Sequence, residues 1–369
     1  MKKLFALSVV PVVISVINTA GCRVLKDLNL DFNPKYAFLT AVFSPDGRKI
    51  VCATRSPEYP GWKDALYSMD TDGSDLVKIA DGIGAPHFLP GNSRYLLALD
   101  SKGQKLFMVD MEQNKITEVY AELLKLGEQD RIEAISHDCS NILINRVRRD
   151  YIWWRNHQYS ILDLHTSRVI ELMPLDKMEL TRGFAFSPDN SSVVFDCDYN
   201  IYLINANGSR FRCLTEHAQK KWGEIGGVGT GDPIFSPDGK LIAFKTAYSL
   251  FIMNNDGTGL KKIVEIDSNR GSIFKTGSFT PDGKQILFVK MGRAGVESGN
   301  NCILIVNTNG TNLRVFLDDE IPYTPFSFSP DGKMMVFEGG SDRVLYTINL
   351  DGSDRKRIFP LLAGVLATR

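Results

Sequence analysis

Residues 43–47 read Phe-Ser-Pro-Asp-Gly, and this stretch returns along the chain at nearly even intervals. Close copies, with Thr for Ser once and Asn for Gly once, begin at Phe186, Phe235, Phe279 and Phe328. Two degenerate copies, Phe-Leu-Pro-Gly-Asn at 88–92 and Ile-Ser-His-Asp-Cys at 135–139, fill the gap after the first copy. The third residues of the seven copies lie 45, 47, 51, 49, 44 and 49 residues apart. A repeat of this period indicates an array of equivalent structural units.

The chemistry of the motif is that of a tight turn. Pro fixes φ at the first corner, Asp bonds back to the local backbone, and Gly accepts a positive φ. Each copy is followed by a short β-rich segment, an alternating strand that ends near an Asp-Gly or Asn-Gly pair, and a last strand. Asp-Gly and Asn-Gly pairs are typical of hairpin turns. Each unit is therefore predicted to form four short strands joined by turns.

A four-stranded sheet repeated about every 40–50 residues is typical of the blade of a β-propeller. A single blade cannot bury both of its faces, so the units must stack around an axis. We therefore predict an all-β fold, a β-propeller of about seven four-stranded antiparallel blades, over residues 37–360. The repeat resembles that of the TolB-type β-propeller, a WD40-like family, over nearly this whole range. TolB itself carries an α/β domain before its propeller, which residues 23–36 are too few to form, so the resemblance implies a propeller alone.

The N-terminus predicts export. Residues 1–21 have the layout of a secretory signal, in which two lysines precede an apolar run that ends at Ile17. The small residues Ala20 and Gly21 directly before Cys22 resemble a bacterial lipoprotein box, whose cysteine is lipidated. Simple cleavage after Ala20 and an uncleaved anchor are the alternatives. We expect a periplasmic or outer-membrane-associated lipoprotein, held to the membrane only by the lipid at Cys22.

Two short segments flank the predicted propeller. Residues 22–36 are interpreted as a linker or as a strand that closes the ring, and residues 361–369 as a C-terminal tail. Either segment could add the closing strand, because an open blade edge invites aggregation.

The composition argues against several classes of partner and cofactor. Lys plus Arg equals Asp plus Glu, 43 against 43, so no global charge attracts nucleic acid. The six cysteines show no paired spacing, and we interpret those beyond Cys22 as small buried hydrophobic residues rather than disulfides. Neither a Cys/His cluster for zinc nor a complete calcium loop is present. We therefore predict no metal site, no cofactor and no nucleic-acid partner.

The repeat also predicts two different faces. With strands A to D running from axis to rim, the motif turn joins A to B and the Asp-Gly turn joins C to D, so both lie on one face. The B–C loops and the D–A crossings lie on the other face. Long segments at 55–64, 148–157, 291–301 and 216–231 all belong to that second face. They contain all four tryptophans of the chain.

We interpret these aromatic and basic segments as a binding surface, because loops on a rigid scaffold often carry function and Trp, Tyr and Arg dominate binding hot spots. The predicted partner-binding residues are Tyr59, Trp62, Arg149, Tyr151, Trp153, Trp154, Arg155 and Trp222. The alternative is that these aromatics fold their own loops down onto the blades. Thermal melts and binding assays on one variant separate the two interpretations.

A second set of residues is predicted at the mouth of the axial channel on the same face. These residues precede the A strands and are Arg131, Arg182, Asp232 and Lys275. A mixed, mostly basic ring of this kind suits a carboxylate or an acidic peptide end. Salt bridging between blades is the alternative role.

Two classes of function fit these patterns. The resemblance implies a non-enzymatic scaffold that binds a protein partner in the bacterial cell envelope. The alternative is a propeller enzyme, a lyase or hydrolase, with a glycan as its ligand. The chain has no Gly-x-Ser-x-Gly peptidase elbow, and its five histidines are scattered in sequence. We therefore predict the scaffold, without catalytic residues.

Overall fold

Each motif copy forms the turn between the first two strands of a four-stranded antiparallel sheet. The computed structural model describes residues 37–58, 61–124, 126–127, 130–149, 155–172, 183–216, 230–292, 301–318, 326–339 and 344–359. Within these ranges lie seven such sheets, numbered here as blades 1 to 7 along the chain. The predicted fold class and the count of seven blades are confirmed. The predictions for residues 1–36 and 361–369 lie outside the described residues.

Every blade consists of four strands that are consecutive in the chain. Blade 1 contains β1 (Ala37–Phe43), β2 (Lys49–Glu58), β3 (Gly61–Asp70) and β4 (Val77–Asp81). Blade 2 contains β5 (Ile83–Phe88), β6 (Tyr95–Asp100), β7 (Leu106–Asp110) and β8 (Lys115–Val119). Blade 3 contains β9 (Arg131–Ile135), β10 (Asn141–Arg149), β11 (Arg155–Asp163) and β12 (Val169–Glu171). Blades 4 and 5 comprise β13 (Phe184–Phe186), β14 (Ser192–Cys197), β15 (Asn200–Asn205), β16 (Arg212–Cys213); β17 (Gly231–Phe235), β18 (Leu241–Lys245), β19 (Ser249–Asn254) and β20 (Lys261–Glu265). Blades 6 and 7 comprise β21 (Gly271–Phe279), β22 (Gln285–Gly292), β23 (Cys302–Asn307), β24 (Arg314–Asp318); β25 (Ser327–Phe328), β26 (Met334–Gly339), β27 (Val344–Asn349) and β28 (Lys356–Phe359).

A short helix, α1 (Ala121–Leu124), connects blades 2 and 3. Nowhere in the described ranges does a helix have the length and apolar character needed to cross a membrane.

Seven clusters of buried apolar side chains stabilise the ring, each of them between two adjacent blades. The cluster between the last blade and the first includes Ile50 and Met69 of blade 1 with Val336 and Leu345 of blade 7. Burying one such side chain contributes roughly 1.5–3 kcal/mol. First strands of several neighbouring blades also contact one another, as β1 does with both β5 and β25. The first strands therefore form the innermost ring and line the axis.

The motif turn is stabilised by its own side chains. In blade 1 the Ser44 hydroxyl donates to Asp46 Oδ1 at 2.6 Å, and the Lys49 N–H donates to Ser44 Oγ at 2.9 Å. Gly47 closes the turn with its N–H on the Ser44 carbonyl and has a φ of +71°. The bond from Ser44 is the main reason that the pKa of Asp46 lies below its ordinary value. The same hydroxyl-to-carboxylate bond is found at Asp138, Asp189, Asp238, Asp282 and Asp331.

The two degenerate motif copies keep the backbone shape by different chemistry. In blade 3, Cys139 takes the position of the glycine and has a φ of +58°. In blade 2, Asn92 Oδ1 accepts the N–H groups of Arg94 and Tyr95 at 2.9 and 3.0 Å and replaces the serine–aspartate pair. The repeat is therefore structural in all seven blades, including those whose sequence match is weak.

The topology fixes two faces, and we name them by their connections. The A–B and C–D turns, such as 44–48 and 71–76, define the turn face. The B–C connections and the D–A crossings, such as 59–60 and residue 82, define the loop face. On the turn face, the glycine of one motif lies against the proline of the preceding blade: Gly47 against Pro330, Gly239 against Pro188, Gly283 against Pro237 and Gly332 against Pro281.

The three remaining junctions of the turn face use other contacts. The Asp46 N–H donates to Ser93 Oγ at 3.0 Å, and the His137 N–H donates to Asn190 Oδ1 at 2.9 Å. Between blades 2 and 3, the Cys139 thiol lies 3.6 Å from the Phe88 carbonyl oxygen. The seven motif turns therefore contact one another in an unbroken circle.

The described cysteines are free thiols. Cys52, Cys139, Cys197 and Cys302 are buried, and Cys213 is half-buried. Burial raises the pKa of Cys139 to about 11 and that of Cys197 to about 12. The interpretation of these cysteines as small buried hydrophobic residues agrees with this placement.

Candidate binding face and channel mouth

Two pairs of strands extend beyond their blades on the loop face. In blade 1, β2 and β3 remain paired to Glu58 and Gly61 at the tip. The neighbouring strand β1 pairs with β2 only as far as Arg55, and β4 pairs with β3 only as far as Ala65. The last three residues of this hairpin on each side therefore form a two-stranded ribbon about 10 Å long.

Blade 3 carries a second ribbon. Its strands β10 and β11 stay paired as far as Arg149 opposite Arg155. The first strand of the blade pairs only to Asn145, and the last pairs only to Ser160. This ribbon therefore also extends past the four-stranded part of its blade by three or more residue pairs.

These ribbons correct the predicted loops at 55–64 and 148–157. Eight of the ten residues of the first segment and five of the ten of the second are paired strand, and the connections proper are residues 59–60 and 150–154. Apolar alternation, which is the main sequence signal for a strand, is weak in both segments, so the sequence did not predict this pairing.

The predicted partner-binding residues fall on these ribbons or outside the described residues. Trp62 lies on β3 opposite Pro57, and Arg149 and Arg155 form the last pair of the blade 3 ribbon. The remaining predictions, Tyr59, Tyr151, Trp153, Trp154 and Trp222, lie outside the described residues. The structure thus places Trp62, Arg149 and Arg155 on the loop face by backbone position.

The base of the blade 1 ribbon is held by a cross-strand ion pair. Arg55 Nε lies 2.6 Å from Asp64 Oδ1, and the second guanidinium nitrogen donates to Asp64 Oδ2 at 3.0 Å. The Asp64 side chain is buried, and its hydrogen bond raises the pKa of Arg55. Arg55 belongs to one of the segments that we interpreted as binding loops, but its guanidinium is occupied within the blade. A bidentate pair of this kind fixes the direction in which the ribbon leaves the sheet.

Two exposed tyrosines on the loop face were not identified from the sequence. Tyr199 lies in the two-residue turn between β14 and β15, and Tyr248 lies in the short turn between β18 and β19. Their side chains are 43% and 44% exposed, more than most large hydrophobic residues of the described chain. Both come from short turns, whereas the sequence argument considered only long segments.

The backbone under these tyrosines is well fixed. Asp198 and Tyr199 have φ values of +45° and +62°, the signature of a type I′ hairpin turn. A bulky residue rarely adopts this conformation, and such strain tends to occur at functional sites. The turn of Tyr248 is tied to both sides: the Tyr248 carbonyl accepts the Ile266 N–H at 2.8 Å, and the Ala247 carbonyl accepts the Ile273 N–H at 2.7 Å. Each ring therefore projects from a rigid support.

The described residues predicted at the channel mouth lie at one level of the innermost ring. Arg131 pairs with Asn145, and Lys275 pairs with Val289. Asp232 follows Gly231, which pairs with Lys245. Asn145, Lys245 and Val289 each come ten residues after the first residue of their motif, so they mark the same height in three blades. These three residues lie within the first strands rather than just ahead of them, and Arg182 lies outside the described residues.

The charges at this level are only partly paired. Lys245 Nζ lies 3.9 Å from Asp232 Oδ2, which joins two strands of blade 5 rather than two blades. Among the described residues, the Arg131 guanidinium and the Lys275 ammonium take part in no ion pair or hydrogen bond. Burial lowers the pKa of Lys275, and the nearby Asp232 opposes that shift. The interaction of Lys275 with Asp232 joins blade 6 to blade 5.

A buried carboxylate supports this level from blade 4. Asp196 is 2% exposed, and its Oδ1 accepts the Gly183 N–H at 2.7 Å. A Cβ placed on Gly231 would lie 3.0 Å from Asp196 Oδ2, and one on Gly183 would lie 3.3 Å from Oδ1. Both glycines therefore allow the Asp196 carboxylate to lie against two neighbouring inner strands, one of which leads directly into Asp232.

The histidines do not gather at this level. His87 lies on the innermost strand of blade 2, close to the turn face, and its side chain is solvent-exposed. Desolvation by the surrounding strands and repulsion from His137 lower its pKa to about 4. Both properties fit a side chain on the channel wall, where solvent reaches it while protein encloses it. In the part of the chain that the structure describes, no three His, Cys, Asp or Glu side chains are placed to share a metal ion.

Comparison with known proteins agrees with this geometry. Residues 151–364, which are 214 of the 369, match the family model of the TolB beta propeller domain. No curated protein matches the chain significantly.

Several solved structures share the fold. An oligogalacturonate lyase from Vibrio parahaemolyticus is similar with a TM-score of 0.61 and 14% identity, over 87% of this chain and 88% of that one. The β-propeller domain of the Trilobed protease from Pyrococcus furiosus, described as having an open velcro topology, has a TM-score of 0.59 and 12% identity, over 92% and 100%. Identities this low show the fold alone. The family match covers more than half of the residues and spans four of the motif turns, and by it the chain belongs to the TolB-type β-propeller family.

Proposed function

We propose that this propeller is a non-enzymatic scaffold that binds a protein partner through its loop face. The observation that carries the proposal is the pair of ribbons in blades 1 and 3, which extend past their sheets on that face. Trp62, Arg149 and Arg155 lie on these ribbons, and residues 150–154 at one tip include two further tryptophans. Trp and Arg are enriched at binding hot spots, so the positions suit a protein contact.

The exposed tyrosines extend this surface to blades 4 and 5. Tyr199 and Tyr248 stand on turns whose backbone is already fixed by hydrogen bonds. A rigid aromatic anchor loses little conformational entropy on binding, which favours affinity. The turn face, by contrast, consists of short turns that contact one another in a circle. In this proposal the turn face stabilises the ring and the loop face binds the partner.

The test combines a double variant with a positional control. Trp153→Ala with Trp154→Ala should leave the melting temperature nearly unchanged and abolish partner capture, since losing each anchor costs about 2 kcal/mol or more of binding free energy. A photo-crosslinking amino acid at Tyr248 should capture the partner from envelope extract, whereas the same group at Asn207 on the turn face should not. A clear drop in melting temperature with capture retained would show that the tryptophans pin their own loop to the blades.

We also propose that the protein is exported and anchored by a lipid at Cys22, which rests on the residues before that cysteine. Cys22→Ala should release the protein from the membrane fraction and remove the mass of the lipid. A variant that still sediments with membranes at unchanged mass refutes lipidation.

An enzyme that acts on glycans is the competing proposal. The purified protein should leave oligogalacturonate and other acidic oligosaccharides unchanged after long incubation, both with and without added divalent cations. Formation of the unsaturated product, followed by its ultraviolet absorbance, contradicts the scaffold proposal.

A further inference from the structure

Lys275 is a cation of the inner ring that lies between two register shifts of its strand. The register between β21 and β22 shifts twice, once between Ile273 and Lys275 and again between Lys275 and Ser278. Such register shifts mark β-bulges or similar irregularities, and bulges commonly redirect a side chain beside a functional site. Gly277 makes the second bulge possible, because it has a φ of +75° and a Cβ there would lie 2.0 Å from the Leu287 carbonyl oxygen. The irregular backbone before and after Lys275 therefore sets the direction of its side chain.

The adjoining strand of blade 5 is distorted at the same level. Its register shifts between Gly231 and Ile234, and Asp232 has a φ of +52°. Asp232 acts electrostatically on Lys275 across the two blades. Asp232 Oδ2 also lies 3.9 Å from Lys245 Nζ. The Lys275 ammonium is half-buried and forms no ion pair or hydrogen bond with the described residues.

Within the described ranges, Asp232 is the charged group that acts on the half-buried Lys275 ammonium. Desolvation of a charge is unfavourable unless it is offset by pairing or hydrogen bonding. Register shifts between the first two strands occur in five described blades, but only blade 6 has two of them, and they lie on either side of Lys275. An anion that binds from the channel would offset the desolvation of this ammonium. A carboxylate can accept a charge-assisted hydrogen bond from the ammonium, which is roughly twice as strong as a neutral one.

We propose that Lys275 binds a carboxylate of the protein partner, from an acidic side chain inserted into the mouth of the channel on the loop face. The proposal rests on the scaffold function proposed above. A backbone hydrogen bond links the strand of Lys275 to the loop face. The Ile273 N–H, two residues before Lys275, donates to the Ala247 carbonyl in the turn that carries Tyr248. The proposed ligand is therefore an acidic residue whose aromatic or apolar neighbour contacts Tyr248. Arg131 lies at the same level in blade 3, and its guanidinium has no ion pair with the described residues.

The test follows the acylation of individual lysines by limiting acetic anhydride, quantified by mass spectrometry. The probe is the peptide acetyl-Gly-Tyr-Glu-Gly-amide, and its matched control carries Gln in place of Glu. The Glu peptide should slow acylation of Lys275 by about tenfold at saturation, as expected for a charge-assisted bond. Lys240, 80% exposed on the turn face, should react at the same rate with either peptide. Galacturonate is included as a carboxylate from a glycan source.

A second measurement uses variants. Lys275→Met should keep or raise the melting temperature, because it removes an unpaired charge, and should abolish crosslinking of the Glu peptide to a photo-reactive group at Tyr248. Lys275→Arg keeps the charge and should retain most of the crosslinking. Equal protection by the Glu and Gln peptides, no protection by either, or protection by galacturonate alone overturns the proposal.

The two proposals fail in different ways. Partner capture at Tyr248 that depends on Trp153 and Trp154 but is unchanged by Lys275→Met keeps the scaffold and refutes the carboxylate site. Protection of Lys275 by the Glu peptide, with no protein captured on the loop face, keeps the site and refutes the scaffold.

Discussion

Replacing Gly277 by alanine should strongly destabilise the propeller, and the structure allows the magnitude to be worked out. Gly277 lies in the second bulge of β21 with a φ of +75°, and an added Cβ would meet the Leu287 carbonyl oxygen at 2.0 Å and its carbonyl carbon at 2.9 Å. Leu287 is fully buried in the cluster between blades 6 and 7, and its strand is paired on both sides. The oxygen therefore has no free direction in which to move.

Two costs add for this variant. The left-handed backbone costs an alanine about 1–2 kcal/mol. Because Cβ contacts under 3.0 Å are essentially never found, the strands must separate by at least 1.0 Å. Overpacking of this kind costs roughly 1–3 kcal/mol. The expected loss is therefore about 2–5 kcal/mol in the free energy of unfolding.

The assay is a thermal melt followed by circular dichroism, with Gly82→Ala as the matched control. Gly82 has a φ of +78°, and a Cβ there would meet no atom within 4 Å, so this control should lose only the backbone cost. With about 2 °C for each kcal/mol in a chain of this size, Gly277→Ala should melt roughly 4–10 °C lower than the parent and the control roughly 2–4 °C lower. Equal losses in the two variants would show that contact with Leu287 carries no energy and would refute the reasoning.

Two further predictions concern buried polar groups. The Thr276 hydroxyl is buried and has no hydrogen-bond partner among the described residues, so Thr276→Val should raise the free energy of unfolding by about 1 kcal/mol. The matched variant Thr215→Val loses the hydrogen bonds with the Ile201 N–H and the Asn200 side chain. Its free energy of unfolding should fall by about 1–3 kcal/mol. Chemical denaturation of both variants checks this, and the opposite order contradicts it. The pKa of His87, about 4 against an ordinary 6.5, means that the unfolded chain binds more protons between these values, so stability should fall as the pH is lowered from 6.5 to 4. His87→Gln should flatten that part of the curve of melting temperature against pH, and an unchanged curve rules out this role for His87.

The fold was accessible from the sequence because its main signal is local. Ser44, Pro45, Asp46 and Gly47 specify one turn by their own bonds, and the turn recurs once per blade. Even the copy with His137 and Cys139 keeps its spacing, so the blade count did not depend on close matches. The spacing of the turns stays visible even where the residues of the repeats differ from one another.

The candidate site was only partly accessible, because its determinants are registers between strands. Arg149 was expected in a projecting loop, but its pairing opposite Arg155 leaves no trace in the apolar pattern. Arg55 was counted with the binding loops until the register placed it opposite Asp64. Tyr199 and Tyr248 were missed because a short turn gives no signal by length. The two bulges around Lys275 depend on which residue of β22 lies opposite, which the order of residues alone does not specify.

The way the ring closes has a consequence for the order of the blades. Blade 7 and blade 1 each contain four consecutive strands, and their junction has the same parts as the others: an apolar cluster and a glycine against a proline. Phe359 ends an outer strand and Ala37 begins an inner one, as at every D–A crossing along the chain. A circular permutant that joins these two residues by a short linker and opens the chain at another crossing should therefore assemble the same ring. The stability of the ring then does not depend on which blade contains the chain ends, and new termini can be placed at other D–A crossings.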